Sequence, residues 1–321
     1  MNLKKSNMKK ILLLLAAAIF SSAVLANQAK IIVPVAPGAT MDDIARIMAP
    51  ELSKRLGKNF LVENKPGASG ILALSSTLSA PSDGNTVIVV NNGVLNIAPM
   101  LNPKSGVSSE SFISIGLVGM SPLVLVTGND LPVSNIKELV AYTKNNPGKV
   151  SWASPGVGTN LHLLGEVLKN QYNLDMVHIL YKGMSQAMID VSEGRVTMFF
   201  DVPNPKMFGF FEVNKMKPIA VTGNKRWPGL PNVPTVIEQG VPSLNTHAWF
   251  GLSVPVDTPE HIVVQLRQAV AAAIEEPEVK EKLKKLGLDS PTVKANDAQK
   301  FVDNEKNQSA GILKRANIKV E

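Results

Sequence analysis

The chain contains no cysteine. That excludes disulfides, thiol nucleophiles, cysteine-bound zinc and a lipid-modified amino-terminal cysteine. Histidine is scarce too: His162, His178, His247 and His261 are the full set, and their scatter along the chain suggests no metal cluster. Aromatic residues make up only 5% of the sequence, and no stripe of Lys or Arg is interleaved with them, so nucleic-acid binding has no support. The apolar stretch 11–20 is too short to anchor in a bilayer. Preceded by Lys4, Lys5, Lys9 and Lys10 and followed by Val24-Leu25-Ala26, it reads as a secretory signal cleaved after Ala26. The leader holds four of the 33 Lys and Arg; set against 26 Asp and Glu, its removal lowers the net charge from +7 to +3. A nucleophile elbow is missing as well. Gly67-Ala68-Ser69-Gly70 and Gly183-Met184-Ser185-Gln186 both lack its final glycine, which leaves a secreted hydrolase with little to stand on.

What is present is a regular alternation of short β-branched runs and helically spaced segments. Residues 31–35 suit a buried strand, and the small-residue loop that follows opens into a helix with Ile44, Ile47 and Met48 on one face. Pro50 is expected to kink or divide that helix, and Gly57 to end it. Strands are expected at 60–62, 86–90, 113–120, 123–127, 150–153, 177–181, 196–200, 219–221 and 250–254. Helices are expected at 71–78, 135–144, 161–168, 185–192, 277–287 and 297–314. Another helix should start at Thr258-Pro259, and a short one should be closed by Gly240. Ser134 and Thr258 are the expected caps of their helices. Pro203, Pro205 and Gly209 should break the segment they occupy. The opening order β-α-β-α-β predicts a parallel sheet with right-handed crossovers. A chain of this length that is 45% hydrophobic should form two domains.

Two loops carry the functional reading. Gly38, Ala39, Thr40, Met41 and Asp42 connect a strand to a helix start, where free backbone N–H groups make an anion site. Ser154, Gly156, Gly158, Thr159, Asn160 and His162 repeat that arrangement, with Leu161, Leu164 and Leu168 at helical spacing behind them. The second loop fails as a dinucleotide fingerprint, because Leu161 stands where a small residue is needed and no acidic residue closes a following strand. Asp42 either faces a cleft or caps its helix. Thr159 is a cap, a ligand hydroxyl or both; His162 is a core or capping residue or a ligand contact. Asn92 and Asp201 end strands, the position from which side chains reach a cleft. Tyr181 could wall that cleft, and Lys182 and Arg226 are the cations placed to meet a distal carboxylate.

Eight short segments together resemble the substrate-binding proteins of tripartite tricarboxylate transporters, the Bug family. They are Val33-Pro34 with Gly38 and residues 42–46; residues 63–68; Asp83-Gly84-Asn85-Thr86; Asn146-Pro147-Gly148-Lys149; Ser154 with Gly156, Gly158, Thr159, His162 and Leu163; Tyr181-Lys182-Gly183; residues 231–235; and Trp249-Phe250-Gly251. The resemblance spans the mature chain. It implies an α/β, type II-like, two-domain periplasmic binding protein, each lobe a mostly parallel sheet flanked by helices. Residues 27–124 with 249–321 would form one lobe and 125–248 the other, with a cleft between them. It implies capture of a small carboxylated metabolite (a di- or tricarboxylate, an acidic amino acid or an aromatic acid) and delivery to membrane permease subunits, with no cofactor, no metal and no chemistry on the ligand. A periplasmic sensor module that signals without transporting would need the same closable cleft.

The sequence departs from the family pattern at the first loop, where Ala39 replaces a second glycine and Met41 a Thr or Ser. A bulkier, less polar rim is expected there, and with it a ligand other than the commonest dicarboxylates. Leu180 replaces a proline usual before Tyr-Lys-Gly, a structural change.

Overall fold

The computed structural model describes residues 28–181 and 183–316. The expected signal segment and Lys182 lie outside the described residues. Among the described residues, ten strands form two five-stranded sheets. The first sheet holds β1 (Gln28–Val33), β2 (Asn59–Asn64), β3 (Thr86–Asn91), β4 (Phe112–Pro122) and β10 (His247–Pro255), in the order β2-β1-β3-β10-β4. The second holds β5 (Val124–Gly128), β6 (Val150–Ser154), β7 (Met176–Leu180), β8 (Met198–Asp201) and β9 (Met216–Val221), in the order β7-β6-β8-β5-β9.

Both sheets have the same plan. The pairs β1/β2, β1/β3, β6/β7 and β6/β8 are parallel, whereas β10 and β5 each run antiparallel to both neighbours. Four strands of each sheet therefore point one way and one opposes them: β1, β2 and β3 form the parallel start that the β-α-β-α-β order suggested, and the later strand β10, like β5 in the second sheet, makes each sheet mixed. Pro218 falls in β9, an edge strand, where a missing N–H costs no interior ladder bond. The chain passes from the first sheet to the second at Leu123, whose N–H donates to Thr222 Oγ1 while its carbonyl accepts the Thr222 N–H, both at 2.8 Å.

Helix α1 (Thr40–Leu56) buries Ile44, Met48 and Leu52 against the first sheet, fully buried positions that contribute roughly 1.5–3 kcal/mol each. Pro50 does not divide it, and Gly57 ends it at φ +64°, the left-handed conformation that favours glycine. Helices α2 (Ile71–Leu78), α8 (Glu260–Glu275), α9 (Pro277–Lys285) and α10 (Ala298–Ala316) also serve the first sheet. A π-turn, Gly93–Ile97, and the four-residue α3 (Ala98–Leu101) follow β3. The second sheet is flanked by α4 (Ile136–Asn145), α5 (Asn160–Tyr172), α6 (Met184–Ser192) and α7 (Pro205–Glu212). Its two faces carry separate cores, one around Trp152 and Phe200, the other around Phe199 and Val126.

Several expected ends shift. Asn135, not Ser134, caps α4 by accepting the Glu138 N–H at 2.8 Å. Thr258 does not cap α8; its Oγ1 is buried without a partner. The segment before Gly240 forms turns, not a helix. Conversely, α7 forms where breakers were expected, because Asn204 accepts the Met207 N–H and Pro205 sits at the first helical position, which needs no N–H.

Candidate functional site

The first loop leaves β1 at Val33 and reaches α1 through Gly38, whose φ of +80° favours glycine although nothing lies within 4 Å of a would-be Cβ. Ala39 occupies the cap position without a side-chain bond, so the N–H groups of Ala39, Thr40 and Met41 have no partner within the described residues. Asp42, 2% exposed, shapes this turn from beneath. It accepts the Gly38 N–H at 2.9 Å, Asn64 Nδ2 at 2.9 Å, and Arg46 Nε and Nη2 at 2.9 and 3.0 Å. Burial pushes its carboxyl up, but these bonds outweigh burial and hold it below the ordinary carboxylate range. Asp42 thus organises the loop by accepting its Gly38 N–H, and it does not cap the helix, whose cap position is Ala39. Met41 is also turned inward, 4% exposed in the first core, so the bulky rim expected from it is not there. Ala39 and Thr40 remain half-buried at the loop surface.

The second loop leaves β6 at Ser154, which is fully buried. Ser154 Oγ accepts the Gly156 N–H at 3.3 Å and lies 2.7 Å from His178 Nε2. Thr159 caps α5: its Oγ1 accepts the His162 N–H at 3.3 Å and donates to the Gly156 carbonyl at 2.7 Å. The N–H groups of Asn160 and Leu161 have no partner within the described residues. Gly158 has φ +79°, and its N–H donates to His162 Nδ1 at 3.3 Å. That bond requires a neutral imidazole with its proton on Nε2. Burial, followed by His178 and Lys169, lowers the His162 pKa to about 4, in keeping with the neutral form.

The two loops match residue for residue at their helix starts. Gly38 corresponds to Gly158, Ala39 to Thr159, Thr40 to Asn160, Met41 to Leu161 and Asp42 to His162. In each, a left-handed glycine donates its N–H to the side chain four residues on, and the next two helical N–H groups are left for something outside the chain.

The other expected residues divide. Asn92 is buried and fully engaged: its Nδ2 donates to Ser309 Oγ and its Oδ1 accepts from Asn96, both at 2.9 Å. With Asn160, Glu305 and Ser309 it lines a cavity of about 30 Å³, the room of one water. Tyr181 donates its hydroxyl to Asp190 at 2.5 Å, and burial, then Asp190, pushes it up to about 12. Asp201 ends β8 and accepts the Val202 N–H at 2.8 Å; burial pushes its carboxyl up to about 7. Arg226 is paired with Glu238 at 3.0 Å on the surface and is not a cleft cation.

Three features escaped sequence reasoning. His162 and His178 are 16 positions apart in sequence, yet their rings meet at a centroid distance of 4.5 Å, tilted by 59°, and share Trp152. Residues 67–70 run through four consecutive positive φ values, two of them at Ala68 and Ser69, where only a glycine-bearing turn was expected. Leu101 of α3 lies where a Cβ on Gly158 would come within 2.1 Å of it, so the second loop rests on an element of the first sheet. The paired glycine and the small residues around it hinted at close approach, but nothing in the sequence named the partner.

The family TctC, described as the tripartite tricarboxylate transporter family receptor, matches residues 44–318. The chain belongs to this family. A TctC relative from Pseudomonas sp. strain P51, the UPF0065 protein in the tcbD-tcbE intergenic region, is 34% identical over 259 residues, 80% of this chain and 76% of that one. Among solved structures, the periplasmic binding protein BugD is similar at 32% identity and a TM-score of 0.78, over 92% of this chain and 99% of that one. The R. palustris protein Rpa4515, solved with adipate, is similar at 30% identity and a TM-score of 0.80, over 91% and 98%. The TctC fold of this chain is thus the two-domain α/β fold of periplasmic binding proteins.

Proposed function

We propose that this TctC receptor captures a small carboxylate between the two glycine loops and delivers it to membrane permease subunits, itself performing no chemistry on the ligand. The single observation that carries the reading is the duplicated helix start: Thr40 and Met41 in one half, Asn160 and Leu161 in the other, each offering outward N–H groups at the positive end of a helix. The lobes are those expected from the sequence, residues 27–124 with 249–321 and residues 125–248, but with the crossings two residues earlier, at 122/123 and 246/247, because Val124 belongs to β5 of the second sheet and His247 to β10 of the first. Closure brings the loops onto opposite ends of one ligand. Thr159 shapes its loop as a cap, Gly38, Ala39 and Gly156 put no bulky side chain over the backbone, and Gly158 sits buried against Leu101 beneath it. The adipate bound by Rpa4515 supports a dicarboxylate as the first class to try. Secretion by the leader, cleaved after Ala26, places the receptor in the periplasm.

The test is a thermal-shift and calorimetric screen of the mature chain against mono-, di- and tricarboxylates, acidic amino acids and aromatic acids. A ligand at a hundredfold excess over its dissociation constant should add about 2.7 kcal/mol of stability. Silence across all carboxylates would overturn the proposal.

A further inference from the structure

The two helix starts are held by different chemistry, and the difference falls on one residue. In α1 the acceptor of the glycine N–H is Asp42, an anion neutralised by Arg46 four residues later. In α5 the acceptor is His162, and the residue four later is Glu166, an anion whose Oε1 lies 3.8 Å from His162 Nε2. A carboxylate at 162 would keep the bond to Gly158 but would set two negative groups, with no arginine between them, beneath a loop that is to receive a third. A neutral imidazole makes the same bond without the charge.

We infer that His162 is the positioning residue of the second carboxylate loop, holding Gly158 through Nδ1 so that the Asn160 and Leu161 N–H groups point at the ligand, and that its neutrality is what lets an anion bind there. This rests on the carboxylate reading above. The groups that face His162 fix its state. His178 of β7 packs tilted against it at 4.5 Å, Trp152 of β6 stacks on it at 6.2 Å, and α5 itself supplies Glu166 and Lys169. His178 is in turn anchored to Ser154, the first residue of the same loop. Two imidazoles therefore fasten the two ends of the loop, and protonating His162 breaks the bond at the Gly158 end.

Three near-isosteric variants separate the roles. In His162→Asn, Oδ1 stands where Nδ1 stood and still accepts the Gly158 N–H. His162→Asp accepts it too but adds charge, and His162→Phe keeps a ring but cannot accept. The probes are adipate and malate together with the best carboxylate from the screen, and the readouts are calorimetric affinity, amide hydrogen exchange at Gly158 and the imidazole ¹⁵N shifts of His162 between pH 4 and 8.

The wild type should show the Nε2–H tautomer and a protected Gly158 amide. His162→Asn should keep that protection and bind within about threefold of wild type. His162→Asp should keep the protection but lose at least tenfold in affinity, and His162→Phe should lose both. As the pH is lowered below 5, wild-type affinity should fall relative to His162→Asn. Equal Gly158 protection in His162→Phe, or equal affinity of the Asp and Asn variants, would overturn the inference while leaving carboxylate capture intact. If no carboxylate binds the wild type, capture itself fails, and the exchange and tautomer data still decide whether the His162 bond exists. Should His162→Phe not fold, the Asn and Asp pair and the pH profile decide alone.

Discussion

Gly38 and Gly158 share a backbone conformation but not an environment, and substitution tells the two apart. An alanine at either position is forced into the left-handed region at about 1–2 kcal/mol. At Gly38 nothing lies within 4 Å of the new Cβ, so Gly38→Ala should cost no more than that strain in urea denaturation. At Gly158 the Cβ would meet Leu101 Cδ1 at 2.1 Å, so Gly158→Ala should cost measurably more and should also weaken ligand binding. For the same reason a β-branched residue at Gly158 tests the lobe contact as much as the ligand site. Sequence reading located both glycines, since each follows an apolar strand and precedes helical spacing. It could not distinguish Met41 turned inward from Met41 at the rim, because one residue at the first helical turn can point either way until the helix is docked. It could not pair His162 with His178 either, since strand order, not sequence distance, brings them together.

Elements were more legible than residues. All ten strands fall on apolar runs between turn signals; the interior strands β3 and β5 are buried on both faces and read as continuous apolar stretches, whereas the edge strands β2 and β7 are partly exposed. The misses were elements defined by caps or by a neighbour. Helix α7 begins at Asn204-Pro205, where the same proline that seemed a breaker starts a helix. The π-turn after β3 is tied down by α10 through the buried Asn92, Asn96 and Ser309. Helix α5 also meets that corner: Leu163 packs with Ile97, Leu313 and Leu101 in a small apolar cluster that joins the two halves. Leu163→Ala should cost about 2–4 kcal/mol by equilibrium unfolding. Because the cluster lies next to the second loop, the same variant should shift small-angle scattering of the ligand-free protein toward a more extended form.

For the whole molecule, buried titratable groups set a stability profile with two opposing limbs. Burial lowers the pKa of His162 to about 4 and lowers His178 and His247 below the ordinary value near 6.5. The unfolded chain then binds more protons than the folded one as pH falls from about 6.5 towards 4, so stability should be full above 6.5 and should decline on that descent. Asp201 acts in the other direction. Its folded pKa of about 7 lies above the unfolded value, so its contribution is present in acid and is lost as pH rises through 7. The two effects fall in the same window, so urea midpoints should rise less steeply from pH 4 to 7 than the histidines alone would give, and Asp201→Asn should steepen that rise while leaving the profile above pH 8 flat.

The chain leaves the first sheet at Pro122 and rejoins it at His247, and these two residues face each other across the β4/β10 ladder. Everything from 123 to 246 is thus a loop insertion between two residues that are already neighbours. An insertion of that kind can be excised without stretching its host. Residues 123–246 expressed alone should show a cooperative thermal transition by circular dichroism, and the host joined by a short Gly-Ser bridge should show its own. A receptor of this design can be assembled as two polypeptides, each bearing one loop, whose reassociation becomes a direct report of ligand.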